Sequence, residues 1–219
     1  MGTLKDSFII NLKNSDIYIK EYQACGLNSI LAILEHLGYI NKVDINDLKV
    51  IFDYDHEGIR DERYIFNKFN TYLKQKEVPY SFSVRKFESI QDIHKNLSNN
   101  IPIPVFFWLK VLDFTRKHYK NEYQLDFGDI HRSDVKHVLL FVGYKSKGDE
   151  ILFIDPSYQM PWISKNEKDL LNHYFKLDKK DFYECIKQIK AFIEVKYLKT
   201  EAKKYNNKRK EQEKQEKLK

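Results

Sequence analysis

Cys25 stands at the mouth of an apolar helix in EYQACGLNSILAILEHLG, residues 21–38. A thiol in that position faces the unpaired N–H groups of the first turn and the positive end of the helix dipole. Both favour the thiolate, and the same amides can later hold an oxyanion. Read alone, the residue fits better as a small buried hydrophobe, which is what most lone cysteines are. A thiol nucleophile also needs a base within hydrogen-bond reach, and the base needs a third group to set its tautomer. Of the seven histidines, His36 falls about three turns from Cys25, at the wrong end of the helix. His56, His94, His118, His131 and His173 lie in polar segments. His137 differs, because it opens the apolar run HVLLFVGY. The next run, ILFID, ends at Asp155, and Pro156 stops it at once. In an antiparallel pair joined at Tyr144 and Ile151, residues near 137 and near 155–158 lie side by side, which delivers a carboxylate to the imidazole. Cys25 is then a candidate nucleophile, His137 its base and Asp155 the orienting group.

The elements that must position these residues follow from periodicity. Leu27, Ile30, Leu31, Ile33, Leu34 and Leu37 have the spacing of a helix with one buried face, and Gly38 suits the position just past its end. Before it, Phe8–Leu12 and Ile17–Ile19 suggest one or two short strands. After it come a short helix capped by Asp44, a longer one from Asp61, a strand opened by Pro79 and an amphipathic helix over Glu88–Leu97. The second half changes period. IPIPVFFWL (101–109) has the length and composition of a doubly buried strand, with its prolines at the start or edge of the pairing. Residues 110–136 read as a surface excursion. HVLLFVGY and ILFID form a hairpin around Gly148-Asp149. A helix over Asn166–Phe175, a helix or turn over Lys179–Lys187 and a strand over 190–199 close the body. Helices first and a mostly antiparallel sheet second is the α+β order.

Composition bounds the class. A chain of 219 residues with 42% hydrophobic residues buries a real core in one domain. Two cysteines make no disulfide framework, which favours a reducing compartment. No run reaches the roughly 20 apolar residues of a membrane span, and the N-terminus lacks a secretory pattern, so a cytoplasmic location is expected. The net charge of +6 is concentrated: residues 199–219 hold nine Lys and Arg against four Glu, leaving the body at about +1. The reading is a domain over 1–198 and a basic, solvated helix or disordered tail over 199–219. Any nucleic-acid contact is expected only through that tail. Asp53, Asp55, His56 and Glu57 form an acidic cluster without metal-loop spacing, so no metal or cofactor is expected. Cys185, in the helical pattern FYECIKQI, reads as buried and inert.

At the chemistry-bearing residues the sequence resembles the papain-like cysteine peptidases, and most nearly the branch that cleaves double-glycine leader peptides from bacteriocin precursors, with its stand-alone relatives. Cys25-Gly26 matches that family's Cys-Gly opening a long apolar helix. His137–Tyr144 matches its histidine strand ending in Gly-Tyr, and Asp155-Pro156 its strand-closing Asp-Pro. KNLSNNIPIPVFF is similar to the helix and strand before the histidine. The resemblance implies an N-terminal helical lobe packed on a mostly antiparallel sheet, and a thioester mechanism on a peptide or protein substrate. The family's oxyanion glutamine falls six residues before its cysteine, where this chain has Ile19; Gln23 is the nearby substitute. The alternatives are an acyltransferase using an amine or alcohol acceptor, or a non-catalytic peptide-binding domain.

Overall fold

The structure is a computed structural model that describes residues 8–10, 12, 24–54, 63–86, 88–89, 92, 97, 99–108, 136–145, 149–154, 156, 175–187 and 191–216. The N-terminal elements are a short strand β1 (Phe8–Ile9) and helices α1 (Cys25–His36), α2 (Ile45–Ile51) and α3 (Arg63–Gln75), with a 3-10 turn at Ile40–Lys42. Then come β2 (Tyr80–Lys86), β3 (Ile103–Trp108), β4 (Lys136–Lys145), β5 (Glu150–Ile154), β6 (Phe175–Asp178), α4 (Lys179–Ile186), β7 (Ala191–Tyr197) and α5 (Lys199–Glu216).

Helix ends follow local chemistry. Gly38, at φ +79°, lets α1 close in a Schellman motif: Gly38 N–H donates to Glu35 O at 2.8 Å and Tyr39 N–H to Leu34 O at 2.7 Å. Asp44 caps α2 by accepting from the N–H groups of Asn46 (2.7 Å) and Asp47 (3.3 Å). Asp178 caps α4 by accepting from Asp181 N–H at 2.7 Å. One expectation changes at α1. All ten residues from Cys25 to Leu34 are buried, including Asn28 and Ser29, so the helix runs through the interior instead of lying with one face on it.

Seven strands form one sheet in the order β2-β7-β3-β4-β5-β6, and β1 also pairs with β4; every pairing is antiparallel. The β4–β5 hairpin has the expected register, with Tyr144 opposite Ile151. Val142 is an extra residue in β4, because Phe141 pairs with Phe153 and Gly143 with Leu152. Pro104 is the second residue of β3, ahead of the bridge to β7 at Val105–Phe192, which is the strand-start location a residue without an N–H requires. β6 was not legible in the sequence: Phe175, expected at the end of a helix, begins this strand instead. The rest of that expected helix, most of the Glu88–Leu97 helix and the 110–136 excursion, except Lys136, lie outside the described residues.

Strand alternation gives the sheet two buried faces. On one, Phe82 of β2 meets Phe69 of α3 at 5.1 Å between ring centroids, and Phe69 meets Phe52 at 5.0 Å. On the other, Phe107 of β3, Phe153 of β5 and Phe182 of α4 form a triangle of 5.1, 5.9 and 6.0 Å. α1 packs across β4 and β3. The architecture is α+β, helices packed on a mostly antiparallel sheet. No described helix is long and apolar enough to cross a membrane.

Candidate active site

Cys25 is the first residue of α1 and is 8% exposed. The residue at the N-cap is Ala24, which has no side-chain acceptor to offer the first-turn amides. A side chain at this place therefore meets the N–H end of a twelve-residue helix whose first ten residues are buried. The first turn is tightly held: Asn28 N–H donates to Ala24 O at 2.8 Å, and the Ser29 hydroxyl donates to Cys25 O at 2.7 Å.

His137 is the second residue of β4, 6% exposed and opposite Phe107 of β3. Because α1 packs on β4, the helix that starts with Cys25 and the strand that starts with Lys136-His137 are in direct contact. The last described pair of the β4–β5 ladder is Leu140 with Ile154, so β5 finishes at the same end of the sheet at which β4 begins. Gln23 and Asp155 lie outside the described residues. Pro156 is described: it is buried, and its carbonyl accepts a hydrogen bond from Asn28 Nδ2 at 3.0 Å.

The other candidates separate from this region. His36 is the last residue of α1, where its Nε2 is 2.7 Å from Asn100 O. Cys185 is 3% exposed within α4, the buried location expected of it. Asp55, His56 and Glu57 lie outside the described residues, and among the described residues no group of three metal-ligating side chains exists. A groove of about 970 Å³ opens beside Leu37, beyond the C-terminal end of α1, lined by Tyr39, Tyr80, Tyr197, Arg85 and Lys196 among others. Burial, and then the neighbouring Tyr39 and Tyr197 phenols, raise the Tyr80 pKa. Its walls come from separate segments of the chain, so no local sequence pattern marks it.

The family model described as the Peptidase_C39 like family matches residues 9–190, which include Gln23, Cys25, His137 and Asp155. Among solved structures, the chain is similar to a protein from Bacillus anthracis described as a C39-like peptidase, with a TM-score of 0.54 at 15% identity, over 89% of this chain and 100% of that one. It is also similar to the peptidase domain of Streptococcus ComA, a bifunctional ABC transporter of a quorum-sensing pathway, with a TM-score of 0.43 at 11% identity, over 79% of this chain and 90% of that one. None of the curated proteins matches. With the match spanning most of the folded body, the chain belongs to the Peptidase_C39 like family.

Proposed function

We propose that the protein is a cysteine peptidase in which Cys25 is the nucleophile, His137 the general base and then general acid, and Asp155 the group that orients His137. Gln23 and the Cys25 backbone N–H are the oxyanion donors. The observation that carries this reading is the packing of α1 on β4, which brings the helix whose first residue is Cys25 against the strand whose second is His137. The Cys25 thiolate attacks the scissile carbonyl carbon, whose oxygen takes the negative charge beside the helix N-terminus. The carbon–nitrogen bond breaks as the imidazolium gives its proton to the leaving amine, and a thioester remains. Water then attacks the thioester, His137 takes its proton, and the acid product leaves as Cys25 is regenerated. The substrate class is a peptide or protein.

The test uses the two cysteines as each other's control. A thiol at a helix N-terminus beside an imidazolium ionises well below the ordinary value near 8.5. Iodoacetamide at about pH 6 should therefore label Cys25 and leave Cys185 untouched, as read by mass spectrometry of the peptides. His137→Ala should remove that labelling. If Cys25 reacts no faster than Cys185, or only from about pH 8 upward, the peptidase reading fails and the chain is better described as a binding module of this fold.

A further inference from the structure

Asn28 is 0% exposed and sits three residues after Cys25, one turn along the same side of α1. Its Nδ2 reaches across 128 positions of sequence to donate to Pro156 O at 3.0 Å. Pro156 directly follows Asp155, and Ile154 before them is the last residue of β5. Pro156 lacks an N–H, so its peptide nitrogen cannot join a ladder and hold the chain beyond β5 in place. Its buried carbonyl still needs a donor, and Asn28 is one. A primary amide in an apolar interior is costly unless it is bonded, so packing alone does not explain an asparagine here. On α1 it stands between Leu27 and Ser29, and the Ser29 hydroxyl is already used by Cys25 O at 2.7 Å.

We propose that Asn28 is a positioning residue that ties the corner after β5 to the first turn of the helix carrying the nucleophile. This inference rests on the peptidase reading above. A carboxylate orients an imidazole only while it is held in place, because hydrogen-bond strength falls steeply with misalignment. Asn28 holds the carbonyl of Pro156, the residue that follows Asp155, against the same helix turn that presents Cys25. The nucleophile and the orienting carboxylate are thereby referenced to one anchor instead of to two elements free to shift against each other.

The readout is the pH profile of Cys25 alkylation in the full chain. Asp155 favours the imidazolium, and the imidazolium favours the thiolate, so loosening Asp155 should move the acid limb of the profile to higher pH. Asn28→Leu, with the same branching and heavy-atom count but a larger volume and no donor, should lower the Cys25 alkylation rate at about pH 6 by about threefold or more, while cooperative unfolding persists. Asn28→Ser, which keeps a donor on a shorter arm, should give a smaller loss and serves if the leucine variant does not fold. Because Asn28 acts through Asp155, Asn28→Ser placed in an Asp155→Asn background should add nothing further, whereas a purely structural role would add its full effect. A folded Asn28 variant with the wild-type profile, or full additivity with Asp155→Asn, overturns the proposal and leaves the peptidase reading intact. A wild-type Cys25 that is inert below about pH 8 overturns both.

Discussion

Gly143 of β4 lies so close to Phe8 of β1 that a Cβ at this position would run into the Phe8 carbonyl oxygen and come within 2.9 Å of Ile9 Cα. β1 pairs beside it, with Ile9 opposite Gly143 and Phe8 opposite Tyr144, and Ile10 N–H donates to Val142 O at 2.8 Å. The glycine near the end of β4 therefore has a physical reason: it lets the β1 backbone come close beside β4 just beyond the bulge.

Gly143→Ala should accordingly destabilise the fold by about 1–3 kcal/mol, because the clash is with backbone that cannot swing aside. Denaturant unfolding at a single wavelength measures it. A change below about 0.5 kcal/mol would mean that β1 moves away freely.

Gln23→Ala should lower kcat on a cleavable peptide by roughly 10²–10³-fold with little change in KM, since an oxyanion donor acts on the transition state and not on the bound substrate. An effect below about threefold would leave the charge to backbone amides at the start of α1 or to Asn28.

Two truncations should behave differently at the C-terminus. The first turns of α5 are docked: Ala202 is 7% exposed, the Tyr205 hydroxyl donates to Lys74 O at 3.3 Å, and Lys208 pairs with Glu77. Burial, and next the Glu201 carboxylate, push the Tyr205 pKa up to about 12. Ending the chain after Lys210 should leave the Tm unchanged, because residues 206–216 are all exposed. Ending it after Leu198 should lower the Tm by a few degrees, about 2–4 °C for each kcal/mol lost in a chain of this size. Equal Tm values for the two truncations would show that the docked turns contribute nothing.

Acid stability should depend on Glu194. Its Oε2 receives Arg85 Nε and Lys196 Nζ, each at 3.0 Å, with its side chain 15% exposed. Burial alone raises its pKa, but the bonds from Lys196 and Arg85 outweigh that and hold it below the ordinary glutamate value. A depressed folded pKa means stability that is present above the unfolded value, near 4.3, and lost as pH falls through the folded one. Unfolding free energies measured from neutral pH downward should therefore fall less steeply in Glu194→Gln than in wild type. Parallel curves would remove Glu194 from the account.

What the sequence determined by itself was local. The α1 periodicity and its glycine stop, the Asp44 cap, the alternating and continuous apolar runs of β3, β4, β5 and β7, and the Tyr144–Ile151 register all follow from interactions within a few residues, or from a tight hairpin. Cys25 and His137 were legible because their placement at element starts is itself a local property. Tertiary structure decided what depends on distant neighbours. The order β2-β7-β3-β4 brings the last strand between the second and third, and no period along the chain encodes that insertion. β6, four residues long with Lys176 and Asp178 in it, has too little pattern to be distinguished from the end of a helix; pairing with β5 makes it a strand. α1 is buried all round because the sheet and other elements enclose it. Asn28, buried between Leu27 and Ser29, gains this partner only when Pro156 arrives from 128 residues away to accept its hydrogen bond.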